Sequence, residues 1–197
     1  TFVVGAFLVA YYLGLAFQTA RVRRRVPRCP IAAFTSGGAH NWLHFSAAMS
    51  WPLPALAWAH APALFSGLPR IPILDNWAGR LSGLLCMCLS AAVLGTAARE
   101  LGDAWRMGVE EARAGAAPGE PPAAPALVTS GIYGAIRHPM YSSGWLALLG
   151  IFLLAPNLLF AILWAAGAVG LLALARREEE HLERALGDRY RRYERRT

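Results

Sequence analysis

The sequence contains no lysine. Its 19 basic residues are all Arg, set against 12 Asp and Glu, for a net charge of +7. Cysteine is scarce. Cys29, Cys86 and Cys88 are too few and too irregularly spaced for a disulfide framework or a zinc site. Cys86 and Cys88 fall inside an apolar run, where a free thiol is a small core residue. No G-x-G-x-x-G stretch occurs, which removes the soluble Rossmann reading. No nucleic-acid motif accompanies the positive charge, and no cleavable signal pattern is visible. The chain opens on Thr1 rather than Met, so a preceding N-terminal piece is expected.

Apolar residues are abundant. They make up 56% of the 197 residues, and the mean hydropathy of +0.37 exceeds that of a typical soluble domain. Several runs are long enough to span a bilayer, so the expected class is an all-α integral membrane bundle. The Arg residues flank those runs, which fits the positive-inside rule better than nucleic-acid binding.

Residues 2–20 read as a first span, closed by Arg21, Arg23, Arg24, Arg25 and Arg28 on the cytoplasmic side. A second span, 40–65, carries Pro52, Pro54 and Pro62 and is expected to kink or break. His40, Asn41 and His44 share one face at its start, either as interfacial polar residues or as part of a substrate pocket. Residues 66–76 form an exterior loop, with Trp77 as an interface anchor. A third helix covers 81–98, and Gly79-x3-Gly83 permits close helix contact within a bundle or between copies. The long connection 99–130 is Ala/Gly/Pro-rich over 114–125 and is a candidate lid. Helices over 139–155 and 158–175 form a hairpin turning at Pro156-Asn157, with Arg176 and Arg177 back at the cytoplasmic boundary. The result is about five spans. The tail, 178–196, reads as an amphipathic helix with Glu179, Leu182, Leu186, Tyr190 and Tyr193 on one face.

The densest chemistry lies in Gly131-Ile132-Tyr133-Gly134-Ala135-Ile136-Arg137-His138-Pro139-Met140-Tyr141-Ser142-Ser143-Gly144. Pro139 suits a first helical turn. The free N–H groups there, with Arg137 and His138, make a positive mouth suited to an anionic group. Tyr133 and Tyr141 offer faces to a base or a cation.

Tyr133-x3-Arg137-His138-Pro139-x-Tyr141-x2-Gly144 resembles a signature of the isoprenylcysteine carboxyl methyltransferase-like family of integral-membrane methyltransferases. Its second signature is similar to Glu178-Glu179-Glu180-His181-Leu182, then Leu186-Gly187, Tyr190 and Tyr193. Fainter echoes are Leu101-Gly102-x2-Trp105-Arg106-x-Gly108-Val109 and Leu127-Val128-Thr129-Ser130-Gly131. The resemblance covers roughly the last half of the chain. It implies one methyltransferase domain over 1–197, with three N-terminal helices in 1–98 and the loop, hairpin and tail in 99–197.

The resemblance also implies S-adenosylmethionine as methyl donor. Leu127, Val128, Gly131, Tyr133, Arg137, His138, Pro139, Tyr141, Gly144, Glu179, Leu182 and Tyr190 are the expected donor-binding residues. Glu178, Glu179 and Arg137 are the expected catalytic ones, and no metal is required. The helix mouth suits the donor carboxylate, Glu178 or Glu179 its ammonium or ribose, and the tyrosines its adenosine. The partners expected are the lipid bilayer and a lipophilic or small-molecule methyl acceptor, with no nucleic acid and the oligomeric state left open. The expected location is a bacterial inner membrane, with the site facing the cytoplasm.

One departure bears on the acceptor. Eukaryotic prenylcysteine enzymes of the family carry an Arg where this chain has Leu174, so amines, thiols, phenols and carboxylates all stay open. Two other readings compete: an NADPH-dependent reductase of the sterol-reductase type, and a non-catalytic lipid-binding protein. The reductase motif has Asn before the Tyr and Gly-Asp after it. Here Met140 precedes Tyr141 and Trp145 follows Gly144, which favours methyl transfer.

Overall fold

The computed structural model describes residues 2–25, 52–102 and 127–197. His40, Asn41, His44, Cys29, the Trp105–Arg106 echo and the candidate lid at 114–125 lie outside these residues. The described residues form α1 (Phe2–Arg25), α2 (Pro52–His60), α3 (Trp77–Leu101), α4 (Pro139–Leu154), α5 (Leu158–Leu186) and α6 (Asp188–Glu194). Short 3-10 turns occupy Pro62–Phe65, Pro72–Leu74 and Gly131–Gly134. The protein is an all-α membrane bundle. α1, α3 and α5 are each long and apolar enough to cross a membrane, and α4 is a shorter apolar helix of 16 residues.

Local chemistry sets the element boundaries. α2 stops before Pro62, where the break was expected. The Asn76 side chain caps α3 by accepting a hydrogen bond from the Gly79 N–H at 2.9 Å. Asn157 caps α5 in the same way, through the Phe160 N–H at 3.1 Å. The turn at Pro156 and Asn157 also pairs with the loop between α2 and α3. Ile71 N–H donates to the Pro156 carbonyl, and Leu158 N–H to the Pro69 carbonyl. This belt fixes the feet of α3 and α5 at one end of the bundle.

α4 is the central helix and packs against both α3 and α5. The α3–α4 crossing is close because two glycines meet there. A Cβ on Gly83 would stand 2.8 Å from the Gly150 carbonyl oxygen, and one on Gly150 would stand 2.7 Å from Met87 Cγ. Gly83 of the Gly79-x3-Gly83 pattern therefore serves packing inside the bundle, with Gly150 as its unforeseen partner, whereas Gly79 stands against the Leu74 backbone. Buried polar ties reinforce the crossing. Ser90 Oγ donates to the Ser143 carbonyl at 2.8 Å, and Tyr11 OH lies 3.0 Å from Ser143 Oγ. α1 is joined to α3 by Gln18 Nε2, which donates to the Ala98 carbonyl at 3.0 Å. α5 leaves Ile162, Val169 and Leu172 exposed, an apolar face suited to lipid.

The C-terminal region corrects one expectation. The amphipathic tail is helical, but it does not start as a new helix at Glu178. α5 runs without interruption to Leu186, because every residue from Arg176 to Leu186 tolerates helix and none breaks it. The break comes at Gly187, which adopts φ 52° and ψ −127°. That left-handed conformation is open to glycine and costly for other residues. α6 then turns back towards the segment that precedes α4.

Candidate active site

The fold brings the two sequence motifs together. α4 and α5 are antiparallel, so the residues just before α4 stand beside those where α5 leaves its apolar stretch. Glu179 Oε1 lies 3.0 Å from His138 Nε2 and 3.1 Å from Arg137 Nη1. Glu178 Oε2 lies 3.5 Å from His138 Nδ1. The His138 ring is thus bracketed by two consecutive carboxylates. Arg137 Nη1 also donates to Glu194 Oε1 on α6 at 3.2 Å. Glu179 and Arg137 are only partly exposed, so these contacts are less screened than surface pairs.

This cluster differs from the open positive mouth expected at the start of α4. Three carboxylates face one guanidinium and one imidazole, so the cluster is net negative even with His138 protonated. Burial pulls the His138 pKa down, but the hydrogen bonds and charges of Glu178 and Glu179 outweigh it and hold it above the ordinary value. Pro139 is buried as the first residue of α4, as its ring geometry favours.

Tyrosines line the cluster. Tyr141 stacks on His138, with ring centroids 5.4 Å apart and planes within 14°. Tyr133 and Tyr190 are buried, and their hydroxyls have no hydrogen-bond partner among the described residues. Burial and the Glu178 and Glu100 charges raise the Tyr133 pKa. Burial and Glu179 raise that of Tyr190, against the opposing pull of Arg137. Both hydroxyls are therefore protonated donors near neutral pH.

Other expected residues are placed differently. Tyr193 binds the segment before α4: its hydroxyl donates to the Tyr133 carbonyl at 2.6 Å. Tyr190 stands near Arg137 and Glu179, with which it was expected to share the donor site. Gly131, at φ 59°, sits against the Glu100 carboxylate, which a Cβ would overlap. Glu100 Oε2 accepts from the Ile132 N–H at 2.8 Å, so it fixes the turn carrying Tyr133. Gly144 faces Leu171 of α5, where a Cβ would make ordinary contact at 3.8 Å. Leu182 is half-buried one turn beyond Glu178, and Val128 is half-buried before the turn. Leu127 lines a separate hollow with residues of α6. Glu100, Glu194 and Tyr193 were not foreseen as site residues. Only Tyr193 carried a signal, through its place on the apolar stripe and in the second motif.

Residues 79–189, more than half of the chain, match the phospholipid methyltransferase family. The chain belongs to that family. The family consists of integral-membrane methyltransferases and includes the isoprenylcysteine carboxyl methyltransferase-like proteins. No curated protein and no solved structure matches the chain. The matched region of this phospholipid methyltransferase family member takes in α3, α4 and α5, and with them both halves of the ion cluster. α1 and α2 precede it. The protein is accordingly an integral-membrane methyltransferase.

Proposed function

We propose that the protein transfers a methyl group from S-adenosylmethionine to a lipophilic or small-molecule acceptor, at the cytoplasmic face of the membrane. The observation that carries this reading is the Glu179 carboxylate oxygen shared by Arg137 and His138, which joins the two motifs into one site. The chemistry of the surroundings fits the donor. A net-negative cluster suits a ligand bearing a sulfonium and an ammonium. Two buried tyrosine hydroxyls without partners would each cost about 1–3 kcal/mol if left dry, and a polar ligand that reaches them removes that cost.

In this reading Glu178 and Glu179 accept hydrogen bonds from the donor's ammonium or ribose hydroxyls. Tyr133 and Tyr190 donate to it, and the Tyr141 ring keeps His138 in place. Arg137 holds Glu179 and Glu194 in fixed positions, so α6 closes over the site and excludes water. When bound, S-adenosylmethionine supplies an electrophilic methyl group on its sulfonium. The residues then gain rate by holding the acceptor and donor in line. An apolar acceptor enters from the bilayer between helices, and the donor enters from water.

Calorimetry of the purified protein in detergent tests the reading. S-adenosylhomocysteine is expected to bind, and NADPH is not. Binding of NADPH alone would replace methyl transfer by reduction. The orientation is tested by single cysteines at Ser66 and Glu180, with Cys29, Cys86 and Cys88 replaced. An impermeant thiol reagent applied to intact cells should label the first and spare the second; the reverse pattern would invert the topology.

A further inference from the structure

A concavity of about 300 Å³ lies between the segment preceding α4 and the C-terminal residues. Its wall carries Arg189, Arg192 and Arg196, with Thr129, Thr197 and Leu127 beside them. Arg137, His138, Glu178 and Glu179 do not line it. Positions 189, 192 and 196 recur at steps of three and four, which stacks them along one side of α6 and the turn after it.

Two nearby arginines are neutralised by carboxylates. Arg137 is answered by Glu179 and Glu194, and Arg191 by Glu183 and Asp188. Among the described residues, no carboxylate lies within ion-pair range of Arg189, Arg192 or Arg196. Like charges gathered around one hollow repel one another, and an anion placed among them turns each repulsion into an attraction. Guanidinium forks pair with two oxygens of one ligand at a time, which suits a tetrahedral oxyanion better than a single charge point. The Thr129 hydroxyl adds a neutral donor, while that of Thr197 already donates to the Tyr193 carbonyl at 2.8 Å.

The position of the hollow bears on what brings the anion. Tyr193 reaches the Tyr133 carbonyl and Glu194 reaches Arg137, so α6 lies against the start of the apolar helix α4. That is the level of lipid headgroups, where phosphate is concentrated. We propose that the hollow is a phosphate-binding site separate from the methyl-transfer chamber. It takes either the headgroup phosphate of a membrane lipid or free phosphate. Occupancy ties α6 to the segment before α4, since residues of both line the hollow.

The test uses the full chain in a non-ionic detergent, with two probes at constant ionic strength. One is dihexanoyl-phosphatidylglycerol below its micellar concentration, and the other is inorganic phosphate. Saturable binding, read by calorimetry and thermal shift, is expected for the lipid. Binding of the lipid alone assigns the headgroup, and equal binding of both assigns the bare phosphate. The double variant Arg192→Gln/Arg196→Gln should bind at least tenfold more weakly, as should Arg189→Gln to a smaller degree. Arg191→Gln should bind as the parent does. All the altered side chains are exposed, and a thermal midpoint without ligand verifies that each variant folds. No saturable binding of either probe, or equal affinity in parent and double variant, overturns the proposal. S-adenosylhomocysteine affinity should be unchanged in the double variant. An equal loss there would make the hollow part of the donor chamber and likewise overturn the proposal, whereas absence of donor binding in the parent would bear only on the methyl-transfer reading.

Discussion

The Tyr193 hydroxyl donates a 2.6 Å hydrogen bond to the backbone carbonyl of Tyr133, across a separation of 60 residues. Both residues are buried. This one bond fastens the C-terminal helix to the turn that carries the first motif. Tyr193→Phe leaves the Tyr133 carbonyl without that donor and should cost about 1–3 kcal/mol of stability. Thermal unfolding in detergent measures the cost. Donor affinity should fall with it, since α6 also brings Tyr190 to the cluster; an unchanged midpoint and affinity would deny the bond any role.

Glu179 and Glu183 are both on α5, yet their replacement should have opposite weights. Glu179→Gln removes the charge shared by Arg137 and His138 and should weaken donor binding by roughly tenfold or more, at about 1.5–3 kcal/mol for a charged hydrogen bond. Glu183 pairs with Arg191 in an exposed position, where such bridges contribute about 0–1 kcal/mol. Glu183→Gln should leave binding unchanged. Calorimetry with S-adenosylhomocysteine compares the two.

His138 makes stability depend on pH. Its folded pKa is raised, because the bonds and charges of Glu178 and Glu179 outweigh the opposing effect of burial. The stabilisation is therefore complete below the ordinary imidazole value of about 6.5 and is lost as pH rises through the higher folded value. Each unit of elevation corresponds to about 1.4 kcal/mol. His138→Gln should flatten the decline in thermal midpoint as pH rises above the ordinary imidazole value of about 6.5. A variant whose midpoint falls as steeply as the parent's would place the pH dependence elsewhere.

Much of the fold was legible because Pro and Asn act locally. Pro62 ends α2, Pro139 starts α4, and Asn157 caps α5 without reference to distant residues. The meeting of Arg137 with Glu179 was legible for a related reason, since the two motifs flank one hairpin. The end of α5 was not. At Arg176 the hydropathy changes, but that is a change of solvent and not of backbone preference, so the helix continues to Leu186. Nor was the turn at Gly187, because a single helical wheel over 178–196 cannot contain the left-handed conformation that separates α5 from α6. Glu100 was missed because its partner Ile132 is 32 residues away and shares no motif with it.

Glycine replacement separates packing from function. Gly150→Ala would press a methyl group against Met87 and the Gly83 carbonyl, and should cost about 1–3 kcal/mol by overpacking. Gly144→Ala meets only Leu171 at ordinary contact distance, and should be neutral or slightly stabilising through helix propensity. Thermal unfolding ranks the pair; a Gly144→Ala variant less stable than Gly150→Ala would contradict the packing at the α3–α4 crossing.

α5 is one rod from its foot at Leu158 to the carboxylates of the cluster. At ~1.5 Å per residue, Glu179 stands about 32 Å above that foot. A change of about 10° in the tilt of the rod would carry Glu179 sideways by on the order of 5 Å. That displacement exceeds the 3.0 Å that separates it from His138. Helices adjust their tilt to the thickness of the surrounding hydrocarbon. Hydrophobic mismatch thus becomes a mechanical input, and turnover in nanodiscs of short-chain and long-chain phosphatidylcholine should differ even though no lipid headgroup has changed.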